Sequence, residues 1–135
     1  MSETEPFRAK TSETRRVSAI DCGTNSIRLI VADVGPDSTG APYAIDVHRD
    51  MVITRLGEGV DRTGLLDADA LKRTLDVARE YSQVIEATGA EPPRVVATSA
   101  SRDAENSDQF VSGMVDTTGV APAVISGSEE AELSY

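Results

Sequence analysis

The chain has 135 residues, 39% apolar and 27% charged, with 13 basic residues against 23 acidic ones and a net charge of −10. That length fits one compact domain with a real core, and the composition speaks against a disordered or membrane-spanning chain. The acidic balance speaks against a surface for duplex nucleic acid, and two Phe, three Tyr and no Trp leave no stacking platform for single strands.

Residues 1–15 are polar and unpatterned and read as a tail, with no apolar run of the kind a secretory leader needs. Val17–Ile20 reads as a first strand, Asp21–Ser26 as a polar turn and Ile27–Val34 as a second strand, which together make a hairpin. A second turn, Gly35–Gly40, leads to a third strand between about Tyr43 and Thr54. Three consecutive strands favour antiparallel neighbours. Arg55–Gly64 holds three glycines and reads as a loop. Asp67 is the expected N-cap of a helix whose buried face carries Leu71, Leu75, Ala78, Tyr81 and Ile85, with Gly89 closing it.

Pro92-Pro93 then punctuates, and Arg94–Thr98 has the pattern of a buried strand. Phe110, Val111, Met114 and Val115 mark a second helix, with Asn106 as its expected N-cap and Gly119 at its end. Ala121–Ile125 is a fifth strand, and a third helix is expected from Ser126. The order β-β-β-α-β-α-β-α describes an α/β lobe with a mixed five-stranded sheet. The third helix would end at Tyr135, hardly two turns in, so the chain is expected to be part of a longer protein.

Three segments can carry chemistry. The turn Asp21-Cys-Gly-Thr-Asn-Ser26 joins two strands with small residues. Its amides can form an anion nest, with Gly23 allowing close approach and Thr24, Asn25 and Ser26 adding donors, while Asp21 can hold a divalent cation. The same six residues also fit an ordinary hairpin turn whose side chains bond their own backbone. Ala97–Arg102 leaves a strand at its carboxyl end, where open α/β sheets place ligands. Arg102 can offer a bidentate guanidinium to phosphate, although an ion pair with Asp103 or Glu105 accounts for it slightly better on the residues alone. In Ser126-Gly-Ser-Glu-Glu130, Ser126 and Glu129 fit a capping box, which leaves Glu130 free. A carboxylate there can orient a water and take its proton; read alone, it fits a favourable place at the helix dipole better.

Residues 103–135 hold seven acids and no base, so a polyanionic ligand needs local donors, a metal or further protein. His48, the one histidine, sits mid-strand beside Arg49 and Asp50 and is expected to be exposed. With one His and one Cys, tetrahedral zinc of the usual kind is excluded. Cys22 fits a small buried apolar residue, and its being the single cysteine suits a cytoplasmic setting. No G-x-x-x-x-G-K-[ST] loop is present.

Taken together, the segments resemble the amino-terminal lobe of the exopolyphosphatase and guanosine pentaphosphate phosphohydrolase family, from about Val17 to Tyr135. The resemblance rests on Asp21–Arg28, on Arg55–Gly59 with Thr63-Gly64, on Ala97–Asn106 and on Ile125–Ala131. It implies the actin-like ATPase-domain superfamily and a ribonuclease-H-like lobe, which agrees with the element order.

The resemblance also implies hydrolysis of the terminal phosphoanhydride of inorganic polyphosphate or of guanosine pentaphosphate. In that reading Glu130 is the general base, Arg102 holds the phosphate being cleaved, Gly23, Thr24, Asn25 and Ser26 cradle it, and Asp21 helps place Mg2+. Family members carry a second lobe with another glycine-rich phosphate loop, and no such segment occurs here. The implied partners are therefore the polyanion, the missing lobe and a homodimer of the full-length protein, with no nucleic acid and no membrane. A superfamily phosphotransferase and a non-catalytic anion-binding lobe are the competing readings. All of them require the bend near Gly23, Arg102 and Glu130 to share one rim of the sheet.

Overall fold

A computed structural model describes residues 13–125. Its five strands are β1 (Arg15–Cys22), β2 (Ser26–Pro36), β3 (Pro42–Ile53), β4 (Arg94–Ala97) and β5 (Ala123–Val124). Its helices are α1 (Val60–Thr63), α2 (Ala68–Thr88), α3 (Ser99–Asp103) and α4 (Ser107–Thr118). The strands form one mixed sheet in the order β3-β2-β1-β4-β5. β1 and β2 pair antiparallel, as do β2 and β3, whereas β4 runs parallel to β1 and β5 parallel to β4.

Period-2 alternation decides which face is covered. Ile20 pairs with Leu29 and with Val95, and Cys22 with Ile27 and with Ala97. All six are buried on the side where α2 and α4 pack. α2 contributes Ala70, Leu71, Thr74, Ala78, Tyr81 and Ile85 to that layer, and the Tyr81 hydroxyl donates to the carbonyl of Ile27 at 3.2 Å. α4 adds Phe110 and Met114, both fully buried. Its Gly113 lies so close to α2 that a Cβ there would press on Leu75 Cδ1 at 2.6 Å. β3 is an edge strand studded with Asp46, Arg49 and Asp50, charges that discourage pairing with another chain. On the sheet's other face Met51 and Ile53 stand exposed.

The caps of α2 follow the sequence: Asp67 accepts from the amides of Asp69 and Ala70, and Gly89 takes a left-handed conformation at its end. Four expectations need correction. Asn106 does not cap α4 with its side chain; its amide instead bonds both the N–H and the C=O of Leu66, at 2.8 and 3.2 Å. Residues 55–64 are not all loop, because Val60–Thr63 make one helical turn between two left-handed glycines. His48 is half-buried opposite Val31 rather than exposed. Val115 faces solvent at 40% exposure instead of joining the core.

Strand bounds differ as well. β1 begins at Arg15, inside the expected tail, and β2 runs on through Gly35-Pro36 with an irregularity between Val31 and Ala32. β5 keeps only two residues of the expected five.

Candidate functional site

The topology gathers five chain segments at one end of the sheet. β1, β4 and β5 are parallel, so their carboxyl ends share that rim. Antiparallel pairing brings the start of β2 and the end of β3 to the same place. The turn after β1, the loop after β3 and the turn into α3 therefore meet where ligands of open α/β sheets sit.

Backbone hydrogen bonds lock these segments together. Within the first turn, Gly23 N–H donates to Ser26 C=O at 2.9 Å. The amides of Thr54 and Arg55 both donate to Asn25 C=O at 3.0 Å, and Gly57 N–H donates to Thr24 C=O at 2.9 Å. On the other flank Thr98 N–H donates to Cys22 C=O at 3.1 Å. Gly57 is where the two loops press closest: an added Cβ would overlap the Thr24 methyl and lie 3.3 Å from the Ala100 Cβ. Only a residue without a side chain allows that approach.

Between the two loops opens a cleft of about 510 Å³, lined by Thr24, Asn25, Ile53, Arg55, Gly57 and Glu58. Asn25 is exposed, and its side-chain amide has no partner among the described residues. Arg55 is the one non-glycine among them with a positive φ, 54°. Glu58 is engaged by Arg73, whose Nη2 lies 3.3 Å away while its Nε donates to Thr54 C=O at 3.1 Å. Two buried hydroxyls lack any hydrogen bond among the described residues, Thr54 Oγ1 and Ser101 Oγ. One precedes Arg55 and the other precedes Arg102, so the unsatisfied polar groups flank this rim.

Arg102 sits on the far side of the turn. Its Nη1 donates to Ile125 C=O at 2.8 Å and its Nε to Asp103 at 3.2 Å. The ion pair expected from sequence is thus present, and the guanidinium lies against Ile125, just past β5. Thr24 and Asn25 line the cleft; Gly23 and Ser26 shape the turn beside it. Asp21 is exposed, paired with Arg28 across β1–β2 on the face opposite Ile20 and Cys22. Cys22 is inert: burial first, and the Asp21 charge second, push its thiol up to about 12. Glu130 and the Ser126–Glu129 capping box lie outside the described residues.

Sequence reasoning passed over Arg55, Glu58 and Ile53 as site residues. The signal for the first was an arginine opening a glycine-rich loop.

The mixed five-stranded sheet, with helices packed on it and strand-end loops converging on one rim, is an α/β lobe with its candidate site at the carboxyl ends of the parallel strands. The Ppx/GppA phosphatase family model matches residues 30–135, and the chain belongs to that family. Exopolyphosphatase 2 of Mycobacterium tuberculosis is 47% identical over 125 residues, which cover 89% of this chain and 39% of that protein. Among solved structures, an exopolyphosphatase-like protein superposes with a TM-score of 0.80 at 43% identity, over 90% of this chain and 36% of its own. The Aquifex aeolicus member of the Ppx/GppA family gives 0.76 at 32% identity, over 87% and 37%. The chain thus spans less than two fifths of each of these three proteins, 39%, 36% and 37%.

Proposed function

We propose that this lobe supplies the phosphate-binding half of an interlobe active site that hydrolyses the terminal phosphoanhydride of inorganic polyphosphate and releases orthophosphate. The observation that carries the reading is the convergence of the Gly23 turn, the Thr54–Glu58 loop and the Thr98–Arg102 segment on one rim. Membership of the family supports the reaction class. Guanosine pentaphosphate is the second substrate, since it presents a terminal phosphate of the same chemistry.

Gly23, Thr24, Asn25 and Ser26 cradle the terminal phosphate. Arg102, released from Ile125 C=O, neutralises it as charge develops. Glu130 takes a proton from water while the water oxygen bonds to phosphorus and the bridging P–O bond breaks. Among the described residues no three acidic or imidazole groups cluster as a metal cage. Mg2+ would bind through one or two carboxylates together with substrate oxygens. Asp21, near the end of β1, would be a carboxylate this lobe offers to the ion. Such an ion would supply positive charge against the phosphates, which matters in a chain of net charge −10.

Phosphate release from long-chain polyphosphate, with Mg2+ and no acceptor, tests the proposal. The chain joined to a second lobe should turn over, and Glu130→Gln should lose roughly 10²–10⁴-fold in rate while still binding polyphosphate. Robust turnover by the 135-residue chain alone would refute the half-site. Transfer to an acceptor without phosphate release would make the protein a kinase.

A further inference from the structure

Arg102 rides on α3, a helix of 5 residues and too short to hold itself in place. The buried residues of that helix and its end are Ala100, Ser101 and Ala104, three small side chains that bury little apolar surface between them. Hydrogen bonds at its two ends therefore set where α3 sits. At the start, Thr98 N–H and Thr98 Oγ1 donate to Cys22 C=O at 3.1 and 3.4 Å, which ties the helix to β1. Beyond its end, Glu105 N–H donates to Gly64 C=O at 2.8 Å. Asn106 then takes both main-chain groups of Leu66, accepting from its N–H at 2.8 Å and donating to its C=O at 3.2 Å.

This second anchor forgoes a local gain. Asn106 stands at the N-cap position of α4 yet makes no side-chain cap bond there, although asparagine is among the residues best suited to that task. Its carboxamide is spent forty residues away in the chain, beside a turn that Gly64 bends with φ 74°. An asparagine whose work was only to start α4 would cap it. The bonds it makes instead fasten the chain just past Arg102 to the far end of the loop that follows β3. The near end of that loop is bonded to Asn25 C=O through the amides of Thr54 and Arg55. Arg102 is thereby held in register with the Gly23–Ser26 turn from two sides, through β1 and through the 54–66 segment.

We infer that Asn106 is a positioning residue for the hydrolysis: by holding Leu66 it fixes α3 at the angle from which the Arg102 guanidinium meets the phosphate being cleaved. The inference rests on the proposed function, in which Arg102 leaves Ile125 C=O to neutralise that phosphate. Asn106 itself touches no substrate. A misplacement of about 1 Å at a group that must meet the reacting phosphate costs about a hundredfold in rate.

Phosphate release from long-chain polyphosphate by the chain joined to a second lobe, assayed well below Tm, tests it with a cycle of Asn106→Ser and Arg102→Ala. Serine removes the clasp on Leu66 and is itself a favoured capping residue, so α4 keeps a capping side chain. Asn106→Ser should lower kcat about 10- to 100-fold while KM for polyphosphate changes less than about threefold. In the Arg102→Ala background the same change should cost less than about twofold, because the group it positions is gone. Hydrogen exchange should quicken at the amides of Ser101–Ala104 while those of α2 keep their protection. Wild-type kcat in Asn106→Ser, or a loss that multiplies in full with that of Arg102→Ala, would overturn the positioning role. Faster exchange shared equally by α2 would overturn it too, since Asn106 would then serve overall stability. Undiminished release by Arg102→Ala would instead refute the role of Arg102 in the proposed function, and the inference would fall with it.

Discussion

Gly57→Ala is the sharpest perturbation of the rim. Gly57 is not among the positive-φ glycines, so its constraint is space rather than backbone conformation. Its Cβ would overlap the Thr24 methyl and sit 3.3 Å from Ala100 Cβ and 3.4 Å from Thr24 C=O. The loop must retreat, and the Gly57 N–H bond to Thr24 C=O at 2.9 Å lengthens or breaks. Overpacking costs about 1–3 kcal/mol and a lost hydrogen bond about 1 kcal/mol. The total, about 2–4 kcal/mol, corresponds to a drop in Tm of roughly 8–16 °C for a domain of this size. Urea unfolding followed by circular dichroism measures it.

Thr24→Ser supplies the control, because it deletes the offending methyl and keeps the hydroxyl. The double variant should regain about 1–2 kcal/mol relative to additivity. A Gly57→Ala loss below about 0.5 kcal/mol, or no recovery in the double variant, would show that this contact does not set the loop.

Three further outcomes follow from the described geometry. Asn106→Ala leaves both main-chain groups of buried Leu66 without their bonds; the expected destabilisation is about 2–3 kcal/mol in a denaturant titration. Cys22, with its thiol pushed up to about 12 by burial, should resist a disulfide reagent at pH 8 until urea unfolds the chain, which a thiol-release assay reads directly. The Lys72 hydrogen bond holds Asp76 below its ordinary 3.8, and the Arg15 hydrogen bond holds Glu91 below its ordinary 4.5. Both carboxylates therefore stabilise the fold above those values and lose that contribution as pH falls through the depressed native ones. The penalty of Arg15→Ala or Lys72→Ala should be small at neutral pH, vanish in acid and shrink in high salt, because both pairs are exposed.

Much of the fold was legible because apolar periodicity and turn residues agreed. The long amphipathic α2, its Asp67 and Gly89 caps and the three-strand meander all follow from local pattern. What escaped was set by long-range contacts. Asn106 looks like a cap in sequence, yet a better partner waits forty residues away at Leu66. The single turn of α1 depends on two glycines turning left-handed around it, at φ 79° and 74°. The first strand reaches back to Arg15, where Arg16 is held by Asp33 of β2 at 2.8 Å, a pairing no local window contains.

The candidate site was legible in part for the same reason. The Gly23 turn and the Arg102 segment announce themselves by composition. The cleft depends on Gly57 closing against Thr24 and on Arg55 being forced left-handed, and both arise only when the two loops meet.

The central claim is that one end of the sheet handles linked phosphates. A 15N-resolved NMR titration of this chain with tripolyphosphate and Mg2+ tests it most directly. Amide shifts should move at Gly23–Ser26, Thr54–Glu58 and Thr98–Arg102, with little change near Gly35 or Glu91 at the opposite end. Shifts confined to that opposite end, or none at saturating tripolyphosphate, would contradict the account.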